Sequence, residues 1–195
     1  MQQLAKLFPL LMKEKAVLAL RQIIIKFCRH RIKTFTHYMA IRTQVTMQEL
    51  GTGVIPQLHR EVFAWLGKQG LTPSGAPFIR YLVINMMEKL DIELGWPVAS
   101  TLSGTDRICA GVLPAGRYAS LVYIGPYEGD GLIRANAALL DWGAQQGIVW
   151  DSWQDEHGDG FGARVESYLK DPGNEPDPAK WETEVAIRLA DDRSQ

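Results

Sequence analysis

Two glutamates of this 195-residue chain stand in segments of strand-like sequence, each beside apolar residues. Glu93 lies between Ile92 and Leu94, and Glu184 lies beside Val185. Because side chains alternate across a β-strand, each carboxylate points away from the face that its apolar neighbours bury. A carboxylate that loses water in a cleft is stabilised by a bound cation. The two positions therefore predict an acidic wall of a cation-binding cleft, unless both glutamates are solvated residues on an exposed sheet face.

Tyrosines accompany these carboxylates. Tyr168 shares a strand face with Glu166, and Tyr81 takes the place of Tyr168 in the first half of the chain. Aromatic faces attract cations, so a wall that combines a ring with carboxylates favours a ligand that is both apolar and positively charged. The alternative is that both tyrosines pack in the core.

The elements that must position these residues form a duplicated pattern. Residues 54–70 and 132–147 are both amphipathic, and each ends in Trp-x-x-x-Gln-Gly, which predicts two equivalent helices. The predicted elements are strand 36–48, helix 55–69 and strands 78–86 and 89–98, then strands 107–113 and 117–124, helix 131–146, a polar loop, and strands 162–169 and 181–189. Two β-α-β-β units make an α+β fold. A duplicated unit packs about a pseudo-two-fold axis, which places equivalent side chains on facing walls of one groove.

The chain divides into a basic leader, 1–35, and an acidic body, 36–195, whose repeats are 36–101 and 104–190. Residues 1–33 carry eight Lys or Arg against one Glu, and the rest carries thirteen basic against twenty-one acidic residues. The leader is interpreted as an appended helix or an overextended start. A membrane-surface or partner-binding helix and a targeting segment are the alternatives. The acidic body argues against phosphate-backbone binding, so no direct nucleic-acid contact is expected.

The two cysteines, Cys28 and Cys109, form no C-x-x-C pair. The sequence therefore predicts neither a metal site nor a disulfide framework, and it fits a reducing cytoplasm. It contains no dinucleotide fingerprint, phosphate-cradling loop or serine elbow, so we expect no cofactor. No apolar run reaches the roughly 18 to 20 residues that span a bilayer.

Taken in order, several stretches of the body resemble the GyrI-like (gyrase-inhibitor-like) small-molecule-binding domain, which also forms the effector-binding half of AraC-type and MerR-type regulators. These stretches are Gly75-Ala76-Pro77-Phe78-Ile79-Arg80-Tyr81, Asp91-Ile92-Glu93-Leu94-Gly95-Trp96-Pro97-Val98, Leu113-Pro114-Ala115-Gly116-Arg117-Tyr118, Gly125-Pro126-Tyr127, Tyr168-Leu169-Lys170-Asp171-Pro172 and Thr183-Glu184-Val185. The resemblance implies two β-α-β-β repeats with both helices on one side and a ligand cleft between the repeats. It also implies that aromatic side chains and a buried glutamate line that cleft. The candidates are Glu184, Tyr168, Glu166, Tyr81, Glu93 and Tyr127.

The function that this resemblance implies is a stand-alone binding protein for small hydrophobic compounds, with cations among them. Its role would be that of a sensor or a sequestering agent, in drug or toxin resistance or in effector binding beside a separate regulator. A first alternative is a hydrolase of strained cyclopropane-bearing genotoxins, in which Glu184 would act as acid or base and Tyr168 would position the substrate. A second alternative is an interaction module whose acidic body binds a topoisomerase.

Overall fold

The structure is a computed structural model that describes the backbone of residues 24–191 and the side chains of residues 30–191. The greater part of the basic leader, 1–23, lies outside the described residues, so its interpretation as a helix stays a prediction.

Nine strands and three α-helices are found in the described chain. The strands are β1 (Ile24–Lys33), β2 (Thr36–Val45), β3 (Phe78–Ile84), β4 (Leu90–Pro97), β5 (Cys109–Leu113), β6 (Gly116–Ile124), β7 (Ser152–Asp155), β8 (Gly158–Lys170) and β9 (Glu182–Arg188). The helices are α1 (Met47–Leu50), α2 (Val54–Lys68) and α3 (Gly131–Gln145), and a 3₁₀ turn covers Pro178–Lys180.

The strands form one curled antiparallel sheet in the order β1-β6-β9-β8-β3-β4-β2-β5, with β7 paired to β8 beside this path. Helix α2 packs on β4 and β2, whereas α3 packs on β6, β9 and β1. Ile79 lies in the core beneath α2, and its cross-strand neighbour Glu166 is hydrogen-bonded by a residue of α3. Both helices therefore cover the same face of the sheet, and the predicted α+β class is confirmed.

Apolar residues at helical spacing hold the two longer helices on the sheet. The buried apolar positions are Ile55, Leu58, Val62 and Leu66 in α2, and Ala135, Leu139 and Gly143 in α3. After each helix comes a glycine with a left-handed backbone, Gly70 with φ of 70° and Gly147 with φ of 66°. A residue without a side chain adopts this conformation without strain, so both helices stop here. The predicted stop at Gly70 is confirmed.

Two strands occupy segments where no strand was predicted. Residues 24–33 were assigned to the leader, and the structure places them in β1, which pairs with β6. The segment after α3 was interpreted as a polar loop, and it contains β7, which pairs with the start of β8. Each of these strands is stabilised by hydrogen bonds to a partner strand, which a local pattern does not reveal.

The strand predicted over 36–48 ends earlier, at Val45, because a capping box starts α1. The Thr46 hydroxyl accepts a hydrogen bond from the Glu49 backbone N–H at 3.2 Å, and the Glu49 carboxylate accepts one from the Thr46 backbone N–H at 2.7 Å. This reciprocal pair satisfies two donors that would otherwise lack partners at the helix start.

Gly143 allows α3 to pack closely against Trp150, and Gly67 of α2 provides a control position without such a contact. A Cβ at Gly143 would overlap the ring of Trp150, whereas a Cβ at Gly67 in α2 would meet nothing within 4 Å. We expect Gly143→Ala to lower the free energy of unfolding by about 1–3 kcal/mol, because the overlap outweighs the better helix propensity of alanine. The control Gly67→Ala should raise it by roughly 0.5 kcal/mol. Urea unfolding measures both, and stabilisation by both substitutions would contradict this packing.

Candidate functional site

Strands β3 and β8, near the middle of the sheet, place a carboxyl group under the helices. Their register sets Ile79 opposite Glu166 and Tyr81 opposite Arg164. Residues directly opposite each other in a ladder point to the same face, and both Ile79 and Tyr81 pack in the core beneath α2. Glu166 therefore points to the helix-covered face.

Glu166 is buried, with 6% of its surface exposed. Its Oε2 accepts a hydrogen bond from the Tyr81 hydroxyl at 3.0 Å, and its Oε1 accepts one from the Asn136 side-chain amide at 2.7 Å. Burial raises the pKa of the Glu166 carboxyl, and the hydrogen bonds from Asn136 and Tyr81 together with the charge of Arg164 oppose this rise. Two uncharged donors thus hydrogen-bond to a carboxyl group whose ionised form is disfavoured by burial.

Arg164 sets the orientation of the Asn136 amide. Its Nη2 donates a hydrogen bond to Asn136 Oδ1 at 2.9 Å, which leaves the amide nitrogen to donate to Glu166. The guanidinium carbon also lies 4.9 Å from the centre of the Phe161 ring. The carboxyl is therefore positioned from β3, α3 and β8 together.

An aromatic cluster lies beside Glu166 on the same face. We define it as the rings of Phe63, Trp96, His59, Tyr168, Tyr127 and Trp181. The Tyr127 ring centre lies 4.5 Å from that of Trp181 and 5.3 Å from that of Tyr168. Burial and the nearby charge of Glu166 raise the pKa of Tyr168, so its hydroxyl stays protonated. The cluster connects α2 with the loop after β6 and with the start of β9.

His59, on α2, is the buried polar residue of this cluster. It is 9% exposed, and its ring lies 5.8 Å from that of Tyr168 and 6.2 Å from that of Trp96, edge-on to both. Neither ring nitrogen has a hydrogen-bond partner among the described residues. Burial disfavours the imidazolium form and lowers the pKa of His59 to about 4. His59 is therefore neutral at physiological pH.

Four of the six predicted site residues meet on the helix-covered face. Tyr81 and Glu166 share a hydrogen bond, Tyr168 follows Glu166 on the same strand face, and the Tyr127 ring contacts that of Tyr168. Sequence reasoning missed His59, which lies on the face of α2 already predicted to be buried. It also missed Asn136, which takes the place of His59 in the duplicated helix pattern, and Arg164, for which no sequence pattern gave a signal.

The other two, Glu93 and Glu184, point to the helix-free face. Glu184 accepts a hydrogen bond from Lys33 Nζ at 2.8 Å, and Glu93 accepts one from the Tyr38 hydroxyl at 2.5 Å. Both point away from the helices, as predicted. The expectation that they share a cleft wall with Tyr168 is wrong, because the ladder partner of Tyr168 is the residue before Glu184, and alternation turns Glu184 to the other face. Glu184 and Tyr168 therefore cannot act on one substrate as a pair.

A small depression of about 150 Å³ lies on the helix-free face, between Lys33, Phe78 and Tyr118. The ammonium group of Lys33, which lines this depression, is already paired with Glu184. The helix-covered face combines a buried carboxyl, several aromatic rings and a buried histidine whose ring nitrogens have no hydrogen-bond partner among the described residues. We therefore take Glu166 and the aromatic cluster as the candidate site.

Among the described residues, no group of three or more His, Cys, Asp or Glu is placed to hold a metal ion. No helix within the described ranges is long and apolar enough to cross a membrane. Cys109 is a free, exposed thiol on β5.

Comparison with protein families gives one match over most of the chain. Residues 31–190 match the family described as the GyrI-like small molecule binding domain. A search of the curated proteins found no significant match.

Several solved structures have the same fold. The chain is 20% identical to EcmrR in its cryo-EM complex with DNA, with a TM-score of 0.67, covering 98% of this chain and 68% of that one. It is 21% identical to the C-terminal domain of EcmrR, with a TM-score of 0.60, covering 88% and 99%. It is 10% identical to SAV2435 bound to tetraphenylphosphonium, with a TM-score of 0.56, covering 85% and 94%. At these identities the comparison shows a shared fold.

Replacement of His59 tests whether its ring is buried and neutral. In the unfolded chain a histidine takes up a proton near pH 6.5, whereas folded His59 does so only near pH 4. The contribution of neutral His59 to the free energy of unfolding is therefore fully present above pH 6.5 and is lost as the pH falls toward 4. At pH 4.5 the loss is about 2–3 kcal/mol. Between pH 7.5 and 4.5, we expect the free energy of unfolding of wild type to fall by this amount more than that of His59→Leu. Urea unfolding at the two pH values measures the difference. Equal losses in the two proteins would show that His59 is solvated.

Proposed function

The chain belongs to the GyrI-like family of small-molecule-binding domains, and from this premise we propose that it binds small hydrophobic cations between α2 and α3. The observation that carries the proposal is the buried carboxyl of Glu166, held by neutral donors beside the aromatic cluster. The protein would act by itself, as a sensor or a sequestering agent for such compounds.

The charge at Glu166 supports a cationic ligand. Its hydrogen-bond donors, Tyr81 and Asn136, carry no charge, and no described Lys, Arg or His forms a salt bridge with it. A buried carboxylate without a counter-ion is strongly disfavoured. A ligand cation would supply the counter-ion and stabilise the ionised form. The positive charge of Arg164 favours the ionised form of Glu166, but the two side chains form no salt bridge.

The aromatic cluster supports a ligand with apolar bulk. Ring faces attract organic cations and replace water around the ligand at little cost. Tyr127 lies in the loop between Gly125 and Gly129, both of which have left-handed backbone torsions, φ of 151° and 85°. We propose that this loop moves Tyr127 away from Tyr168 to admit the ligand. The bound tetraphenylphosphonium of SAV2435, a protein of the same fold, is a cation of this class.

The two β-α-β-β units would be repeats about a pseudo-two-fold axis between β3 and β8. The strand order supports this. From the line between β3 and β8, the sheet continues as β8-β9-β6 on one side and as β3-β4-β2 on the other, and β1 and β5 form the two edges. Each strand of one unit thus has a counterpart at the same distance from the axis in the other. Such an axis would bring α2 and α3 side by side above β3 and β8. The ligand would then lie where the two repeats meet.

A hydrolase remains the second candidate because Glu166 has a raised pKa and a hydrogen bond to Tyr81 at 3.0 Å. A carboxyl whose pKa is raised by burial is suited to act as a general acid, and a tyrosine beside it can position a substrate. The pair would be Glu166 and Tyr81 in place of Glu184 and Tyr168. Consumption of a cyclopropane-bearing substrate, followed by mass spectrometry and lost in Glu166→Gln, would favour this activity over binding alone.

Glu166→Gln tests the binding proposal, because it keeps the shape and hydrogen-bonding capacity of the side chain and removes its charge. We expect the Kd for tetraphenylphosphonium to rise about 10- to 100-fold, from the loss of the Coulombic attraction between the carboxylate and the cation. Isothermal titration calorimetry measures the affinity.

Glu184→Gln is the matched control, since it removes a carboxylate from the helix-free face. Its Kd should equal that of wild type. An equal loss in both variants, or an unchanged Kd in Glu166→Gln, would remove Glu166 from the binding site.

A further inference from the structure

His59 and Asn136 hold matching places on the two helices. Each lies six residues before the tryptophan of its helix, Trp65 in α2 and Trp142 in α3, and each is buried. The two helices thus direct one polar side chain each toward the region above β3 and β8.

The strands beneath the two helices differ at the matching position. Asn136 finds Glu166 on β8 and Arg164 beside it, so its amide donates and accepts hydrogen bonds. The residue directly opposite Glu166 is Ile79 on β3, which offers His59 no polar group. This difference explains why Asn136 is satisfied and His59 is not.

His59 therefore keeps an unused hydrogen-bonding capacity inside the candidate site. A neutral imidazole has one N–H donor and one acceptor nitrogen, and neither is used within the described residues. Most buried polar atoms in proteins have a hydrogen-bond partner, so the nitrogens of His59 have the capacity to bind a polar group of a ligand. The edge-on contacts with Tyr168 and Trp96 place the ring within the aromatic cluster.

Packing alone does not require a histidine here. The buried residues one turn away on this face of α2 are Ile55 and Val62, and a leucine would fill the position without leaving polar atoms unpaired. The edge-on contacts of the imidazole with Tyr168 and Trp96 leave both of its nitrogens without a partner among the described residues, which lowers the stability of the fold.

We infer that His59 is a ligand-binding residue and that the ligand is an aromatic cation that also carries a hydroxyl group, which hydrogen-bonds to the His59 ring. The inference rests on the proposed function and adds a second polar contact to the one at Glu166. The hydroxyl can donate to one ring nitrogen or accept from the other, so either histidine tautomer serves. The cation is held by Glu166, the ring system by the aromatic cluster, and the hydroxyl by His59.

Two probes that differ by one hydroxyl test this inference: tetraphenylphosphonium and (4-hydroxyphenyl)triphenylphosphonium. Calorimetric Kd values are measured for wild type, His59→Leu and His59→Asn. We expect His59→Leu to weaken binding of the hydroxylated probe by roughly tenfold, the usual scale for one buried hydrogen bond. Because His59 also belongs to the aromatic cluster, its replacement should weaken the binding of tetraphenylphosphonium as well, but by a smaller factor, so that the preference for the hydroxylated probe falls. His59→Asn, which copies the residue of α3, should restore part of the preference for the hydroxylated probe.

Phe63→Leu is the control for the aromatic surface of α2, because Phe63 contacts Trp96 through its ring and carries no polar atom. It should weaken both probes equally. His59→Leu should also raise the melting temperature by a few degrees, since it removes unpaired buried nitrogens.

Equal changes for the two probes in His59→Leu, or no change for either, would overturn the role of His59 while leaving the cation site intact. A lower melting temperature of His59→Leu would show that the ring has a structural partner and would also contradict the inference. If wild type binds neither probe, the proposed function fails and the inference falls with it.

Discussion

The burial of the Glu166 carboxyl in the middle of the sheet is the constraint on which the site depends. A carboxyl beneath a helix layer is tolerated only when its oxygens have donors. Those donors are Tyr81 on β3 and Asn136 on α3. The pairing of β3 with β8 and the docking of α3 must therefore both be in place before the site exists, which couples the candidate site to the completed fold.

The carboxylates on the two faces of the sheet differ in their partners. On the helix-free face, Glu184 is paired with Lys33, and Glu93 lies near Arg80, so these carboxylates have cationic partners within the chain. Partly exposed pairs of this kind contribute little to stability. On the helix-covered face, Glu166 forms no salt bridge with a described residue, although the charge of Arg164 acts on it from nearby, and the two ring nitrogens of His59 have no hydrogen-bond partner among the described residues. Polar groups left unpaired within a core destabilise the fold, and this is the expected cost of a site that recognises a ligand.

Most elements could be predicted from the sequence because their causes are local. The spacing of apolar residues and the glycines Gly70 and Gly147 define α2 and α3 within about one turn of helix. Strands β1 and β7 were missed because pairing with β6 and β8 stabilises them, and nothing in their own sequence requires it. The N-terminal cap at Thr46 was local too, but a run of β-forming residues before it masked the end of β2.

Which side chains share a strand face follows from the sequence alone, because alternation is a property of the extended backbone. Alternation puts Tyr168 on the same face as Glu166 and Glu184 on the face away from the helices. The face that carries the candidate site depends on contacts between distant parts of the chain. The contacts of Asn136 with Glu166 and Arg164 join residues 30 and 28 positions apart, and they form only when α3 docks on β8. Glu93, Glu166 and Glu184 have the same side-chain chemistry. Burial without a salt bridge, which strand register and helix docking impose, is what distinguishes Glu166.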